Sequence, residues 1–162
     1  MLNLNRVIKT AAPALLIGLA AAFATPGVVQ ADPAKRVFTI AAVEPKGGAT
    51  VDKEAFPEAT LPSGGGYILK KPDATGRWET SVYLWMPGQI IVNQDDDVTL
   101  EFVGINGAQH TTVIKGYNKS FIVKRGQTTK VAFKADKAGV FPIECASHLP
   151  SMVGELIVLP RQ

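Results

Sequence analysis

The chain has 162 residues, with 17 Lys+Arg, 14 Asp+Glu, one cysteine and two histidines. That length suits a single domain, and no basic block or aromatic–basic interleaving supports nucleic-acid binding. A lone cysteine excludes an internal disulfide, which leaves a free thiol, an intermolecular bridge or a metal ligand in an exported chain.

The first stretch reads as a leader. Met1 to Lys9 carries Arg6 and Lys9 and no acid, the run from Ala11 to Phe23 is apolar, and Val29 and Ala31 offer small residues at the −3 and −1 positions of a cleavage site. This pattern predicts a cleaved signal peptide over residues 1–31 and a periplasmic mature protein. A retained membrane anchor is the alternative, but the apolar run is short of the about 20 residues a span needs. The mature form is expected to have no membrane span. Cleavage removes Arg6 and Lys9 and leaves it near neutral.

Residues 32–162 read as one domain. In it, residues 32–86 hold N-terminal strands and a long loop, and 87–162 hold the core. Val37-Phe38-Thr39-Ile40-Ala41-Ala42-Val43 is β-branched and apolar and predicts a strand. Residues 44–66 contain Gly47-Gly48, Pro57, Pro62 and Gly64-Gly65-Gly66 and read as a long loop with one helical turn at 53–56. Further strands are predicted at 67–70, 80–86, 90–92, 98–102, 111–114, 120–123, 128–133, 140–143 and 155–159. Asp95-Asp96-Asp97 is read as a solvated turn, with a docking patch for a basic partner as the alternative. Trp78, Trp85 and Met86 read as packing residues. From residue 67 on, nine short strands with Gly, Pro and Asp turns and no helical period argue for an all-β sandwich.

The chemistry concentrates near the C-terminus. Cys145, His148 and Met152 fall within eight residues, and the other histidine, His110, follows Asn106-Gly107-Ala108-Gln109 in a loop that leads into a strand. Loops of a sandwich gather at its ends, so one end could present a thiolate, two imidazoles and a thioether to one ion. Thiolate and two imidazoles in a plane with a remote thioether suit electron-transfer copper. The two residues between Cys145 and His148 allow a tight turn, and Pro142 and Pro150 stiffen the loop. The plain alternatives are a buried apolar cysteine, a satisfied core or surface histidine and a Met152 that merely fills space, with the axial place vacant or taken by the Gln109 carbonyl. Zinc also accepts a Cys-His-His set.

The pattern Gly139-x-Phe141-x-x-x-Cys145-x-x-His148-x-x-x-Met152-Val153-Gly154-x-Leu156-x-Val158, preceded by Asn106-x-x-x-His110, resembles the cupredoxins, the small blue copper proteins that include plastocyanin, pseudoazurin and amicyanin. The resemblance spans residues 87–160. It implies a Greek-key β-sandwich, here with an N-terminal extension, and one copper ion per chain held by His110, Cys145, His148 and Met152. It also implies that Thr111 and Asn106 order the ligand loops, and that the edge of His148, within a collar of Leu149, Pro150, Ala108 and Gly107, is the electron port. The gap from His148 to Met152 is one residue shorter than in plastocyanin and one longer than in amicyanin. Residues 133–141 also resemble nitrosocyanin and the copper domain of cytochrome oxidase subunit II. One cysteine excludes the binuclear centre of the latter, and Asn-x-x-x-His favours the mononuclear blue type over nitrosocyanin. Periplasmic cupredoxins of acidophile respiratory chains carry comparable extensions.

The implied function is a monomeric, non-enzymatic one-electron carrier of a respiratory chain. Its expected partners are redox proteins such as a c-type cytochrome or a terminal oxidase. A copper carrier or chaperone, or an accessory copper subunit of a terminal oxidase, are the alternatives. A nitrite reductase or multicopper oxidase needs further histidine-rich centres, and both histidines are already placed at one site.

Overall fold

The computed structural model describes residues 32–161. The signal peptide expected over residues 1–31 lies outside the described residues. Strands β1 (Lys35–Val43), β2 (Lys46–Thr50), β3 (Tyr67–Lys70), β4 (Arg77–Val82), β5 (Leu84–Met86), β6 (Gln89–Asn93), β7 (Asp97–Gly104), β8 (Gln109–Ile114), β9 (Lys119–Lys124), β10 (Thr128–Lys134), β11 (Gly139–Cys145) and β12 (Val153–Leu159) follow in order, with a short 3-10 turn at Ala146–His148. None of the described helices is long and apolar enough to cross a membrane.

Two sheets, ordered β10-β7-β1-β5 and β6-β12-β11-β8-β9, share one core. The period of two explains which residues fill it. In β7 Val98, Leu100 and Phe102 point inward, and in β12 Leu156 and Val158 do. Burying each such side chain stabilises the fold by about 1.5–3 kcal/mol. The same alternation puts His110 and Thr112 on the inner face of β8 with Ile114, and Cys145 on the inner face of β11 with Ile143. Thus the first two candidate ligands are core positions at the ends of core strands.

The expected all-β sandwich is what forms, with a third sheet added. That sheet, β2-β4-β3, is built from the N-terminal region. The loop expected over 44–66 contains β2, because Gly47 and Gly48 pair with Thr80 and Glu79 rather than turning. The helical turn expected at 53–56 is instead a turn at 51–53, where Lys53 and Glu54 N–H groups donate to the Thr50 carbonyl. The single strand expected over 80–86 is two, β4 in the small sheet and β5 in the sandwich, parted at Tyr83. Alternation along a chain cannot reveal a change of sheet. β1 pairs in parallel with β7 and antiparallel with β5, so the sandwich draws strands from both sides of residue 87.

Other readings change as well. Asp96 is fully buried, so the Asp95-Asp96-Asp97 turn is not simply solvated. Trp78 and Trp85 pack as expected, but Met86 is 56% exposed.

Candidate metal centre

At the pole where β7 and β11 end and β8 begins, three lone-pair donors converge. His110 Nδ1 lies 3.2 Å from His148 Nδ1, Cys145 Sγ lies 3.3 Å from His148 Nδ1, and Cys145 Sγ lies 3.7 Å from His110 Nδ1. Metal–nitrogen and metal–sulfur bonds of about 2.0 and 2.3 Å put such donors about 3.3–3.6 Å apart in a four-coordinate site. The donor set therefore fits one ion of that size.

The protonation pattern fits too. His110 Nε2–H donates to the Asn106 carbonyl at 2.8 Å, which fixes the tautomer and leaves Nδ1 as a bare lone pair. Burial pushes the Cys145 thiol up, while the Ser147 and His148 backbone N–H groups act against it. Burial first, then His110, holds the His148 imidazole below its ordinary value. Two imidazoles and a buried sulfur face one point, and a bound metal would convert the thiol to thiolate.

Met152 completes the loop. Its backbone N–H donates to the His148 carbonyl and its carbonyl accepts from the Cys145 N–H, both at 3.0 Å. Its side chain is fully buried in the core cluster that contains Cys145. The loop thus closes on itself and buries Met152 in the same core as Cys145.

The His110 loop is fastened from outside. Arg125 Nε donates to the Gly107 carbonyl at 2.8 Å, and the Arg125 N–H donates to the Ala108 carbonyl at 3.1 Å. Gly107, at φ +70°, lies so close to the His110 ring that a Cβ would come within 2.8 Å of Cε1. Asn106 does order this loop, through its backbone carbonyl on His110 and through Oδ1, which accepts from the Glu44 N–H at 3.0 Å. Thr111 is exposed. Its neighbour Thr112 is buried and donates to the His110 carbonyl at 3.1 Å, a bond within β8 that does not join the two ligand loops.

Two features escaped the sequence reading. Tyr83 stacks on His148 with ring centroids 3.9 Å apart at 24°, and meets His110 edge-on at 5.8 Å. The glycine run at 64–66 lies across the ligand loop. A Cβ at Gly65 would come within 2.6 Å of the Ser147 carbonyl, and one at Gly66 would strike the His148 carbonyl and Ser151 Oγ. Three successive glycines were the available signal for close backbone approach; nothing local marked Tyr83. His148 is accordingly half-buried, flanked by Tyr83 and this strap as well as by the expected collar, in which Ala108, Leu149 and Pro150 are exposed and Gly107 is half-buried.

No protein-family model matches the chain. A copper-containing nitrite reductase of Rhizobium meliloti (strain 1021) is 38% identical over 93 residues, 48% of this chain and 25% of that protein. The chain thus spans about a quarter of that curated relative's length. A multi-copper oxidase from Pseudomonas thermotolerans superposes with TM-score 0.53 at 16% identity, covering 81% of this chain and 31% of that one. Auracyanin A, a "blue" copper protein from Chloroflexus aurantiacus, gives TM-score 0.39 at 19% identity, over 46% of this chain and 88% of that one. The chain has the cupredoxin fold. At one pole of it stands a candidate type 1 copper site formed by His110, Cys145, His148 and Met152.

Proposed function

We propose that the protein is a periplasmic one-electron carrier of a respiratory chain, with one copper held by His110, Cys145 and His148 and, more remotely, by the Met152 thioether. The observation that carries this reading is the convergence of His110 Nδ1, His148 Nδ1 and Cys145 Sγ at 3.2–3.7 Å at one pole of the core. A soft donor set of this kind suits copper. A copper ion bound there supplies the one-electron Cu(I)/Cu(II) couple. The residues supply a site that is fixed in advance. Asn106 orients His110, the Cys145–Met152 backbone bonds close the loop, and the core excludes water from Cys145, His110 and Met152. Little rearrangement then accompanies a change of oxidation state.

Both histidines of this chain serve this one site, which supports a carrier over a copper enzyme. The pole carries exposed Ala108, Leu149 and Pro150, an apolar rim suited to brief docking of a c-type cytochrome or a terminal oxidase through a small interface. The leader-like residues 1–31 support the periplasmic assignment. Loading the mature chain with Cu(II) should give an intense thiolate-to-copper band in the visible, bleached by a reductant and restored by an oxidant, with copper retained throughout. Cys145→Ser should abolish the band. A band that survives in that variant overturns the ligand assignment, and copper lost on reduction overturns the carrier.

A further inference from the structure

Tyr83 occupies an unusual place in the chain. It separates β4 in the small sheet from β5 in the sandwich. Its backbone N–H donates to the Gly66 carbonyl at 3.0 Å, and its carbonyl accepts from Ser151 Oγ at 2.9 Å. The strap, the sheet-switching residue and the ligand loop are therefore tied into one closed unit. Its ring lies nearly parallel to His148 at 3.9 Å.

The phenol end lies near an acid. Burial first, then the Glu44 carboxylate, pushes the Tyr83 phenol up. The Glu44 side chain is in turn held by the Ser81 hydroxyl at 2.8 Å and Lys46 Nζ at 3.1 Å. The Glu44 N–H donates to Asn106 Oδ1, and the Asn106 carbonyl holds His110 Nε2. A path of contacts thus runs from His148 through Tyr83, Glu44 and Asn106 to His110 without passing through an ion.

We propose that Tyr83 is a positioning residue of the metal centre: its stacked ring, anchored through its backbone by the Gly66 strap and Ser151, holds the His148 imidazole aimed at the donor point whether or not metal is bound. His148 has need of such a device. His110 is fully buried, on a core strand and tethered at Nε2, whereas His148 ends a short 3-10 turn with no buried residue. Stacking on a fixed ring supplies what secondary structure does not. The proposal rests on the copper reading only for the identity of the ion.

The test compares the wild type with Tyr83→Phe, Tyr83→Leu and Tyr83→Ala in the mature protein. In metal-free protein, NMR of the histidine ring signals should show His148 sharp in wild type and Tyr83→Phe. In Tyr83→Leu and Tyr83→Ala it should be exchange-broadened, while the His110 signals, shifted by loss of the neighbouring ring, stay sharp. In copper-loaded protein, release to excess chelator should quicken about 2- to 10-fold in the Leu and Ala variants, the range expected for one aromatic pair. The Leu variant retains apolar bulk and covers the case that the Ala variant fails to fold. A wild-type His148 signal in Tyr83→Leu overturns the proposal, and broadening in Tyr83→Phe overturns the ring as the agent. If the wild type takes up no copper, the carrier reading fails, while the metal-free comparison still decides the role of Tyr83.

Discussion

The β1–β7 ladder, roughly 23 Å long at about 3.3 Å per residue, runs between two buried polar clusters. At its start, Asp96 accepts from the Ala34 N–H at 2.8 Å, the Asn93 N–H at 3.1 Å and Arg36 Nε at 3.3 Å, with Arg161 Nη2 at 3.9 Å. At its end, beyond Gly104, three donors face one another with no protein cation among them. Both clusters interrupt the apolar core with groups that are costly to bury. The first is complete within the chain. The second offers three ligand atoms to one point, as a metal site would, and that distinction separates a structural polar cluster from a candidate binding one.

The largest effect that tests this contrast comes from metal itself. Copper at about a thousand times its dissociation constant should stabilise the native state by about 4 kcal/mol. Thermal unfolding of metal-free and loaded protein measures it. No gain on loading would mean that the donor pole, like the Asp96 pole, is already complete.

Next comes Asp96→Asn, which removes the charge but little volume. It removes the carboxylate that Arg36 pairs with and one of the two near Arg161, and should cost about 2–3 kcal/mol. The visible copper band should not move. The acid limb sharpens the point. Burial alone would raise the Asp96 carboxyl, but the Ala34 and Asn93 N–H groups and Arg36 together hold it below the ordinary range. A depressed carboxyl contributes stability above its unfolded value of about 3.9, and that contribution is lost as pH falls through the folded value. Wild type should therefore lose stability below about pH 4 more steeply than Asp96→Asn. Parallel acid curves for the two proteins would remove Asp96 as the closing charge.

Gly66→Ala attacks the other pole. The added methyl meets the His148 carbonyl and Ser151 Oγ, so the strap must lift from the ligand loop. The expected cost is about 1–3 kcal/mol, as for other overpacked sites. Unlike Asp96→Asn, it should also shift the copper band. An unshifted band with lowered stability would make the strap a structural element only.

How much of each pole could be read in advance follows from where its parts lie along the chain. Cys145, His148 and Met152 share one loop, and His110 has its own short motif, so the donors were legible as local spacing. Alternation placed most of the sandwich strands. The groups that finish each pole come from far away in sequence. Asp96 meets Ala34 across 62 residues and Ser151 meets Tyr83 across 68. No local pattern marks one aspartate of three as buried. The small sheet was hidden for a different reason, since Gly47-Gly48 reads as a turn until a partner strand pairs with it.

The smallest effect concerns the adjacent threonines. Thr112 is opposite Cys145 in the β8–β11 pairing and donates its hydroxyl to the His110 carbonyl. Thr112→Val keeps the branched shape and removes that donor from a fully buried position. It should cost about 1 kcal/mol, the net worth of one hydrogen bond. Thr111→Val, on the exposed side of the same strand, should stay within about 0.5 kcal/mol. The lost bond ends on the His110 backbone and not on its ring, which Asn106 still holds through Nε2. Thr112→Val should therefore lower the unfolding midpoint and leave the copper band in place. A shifted band would mean that the strand backbone, as well as the ring tether, sets the direction of His110.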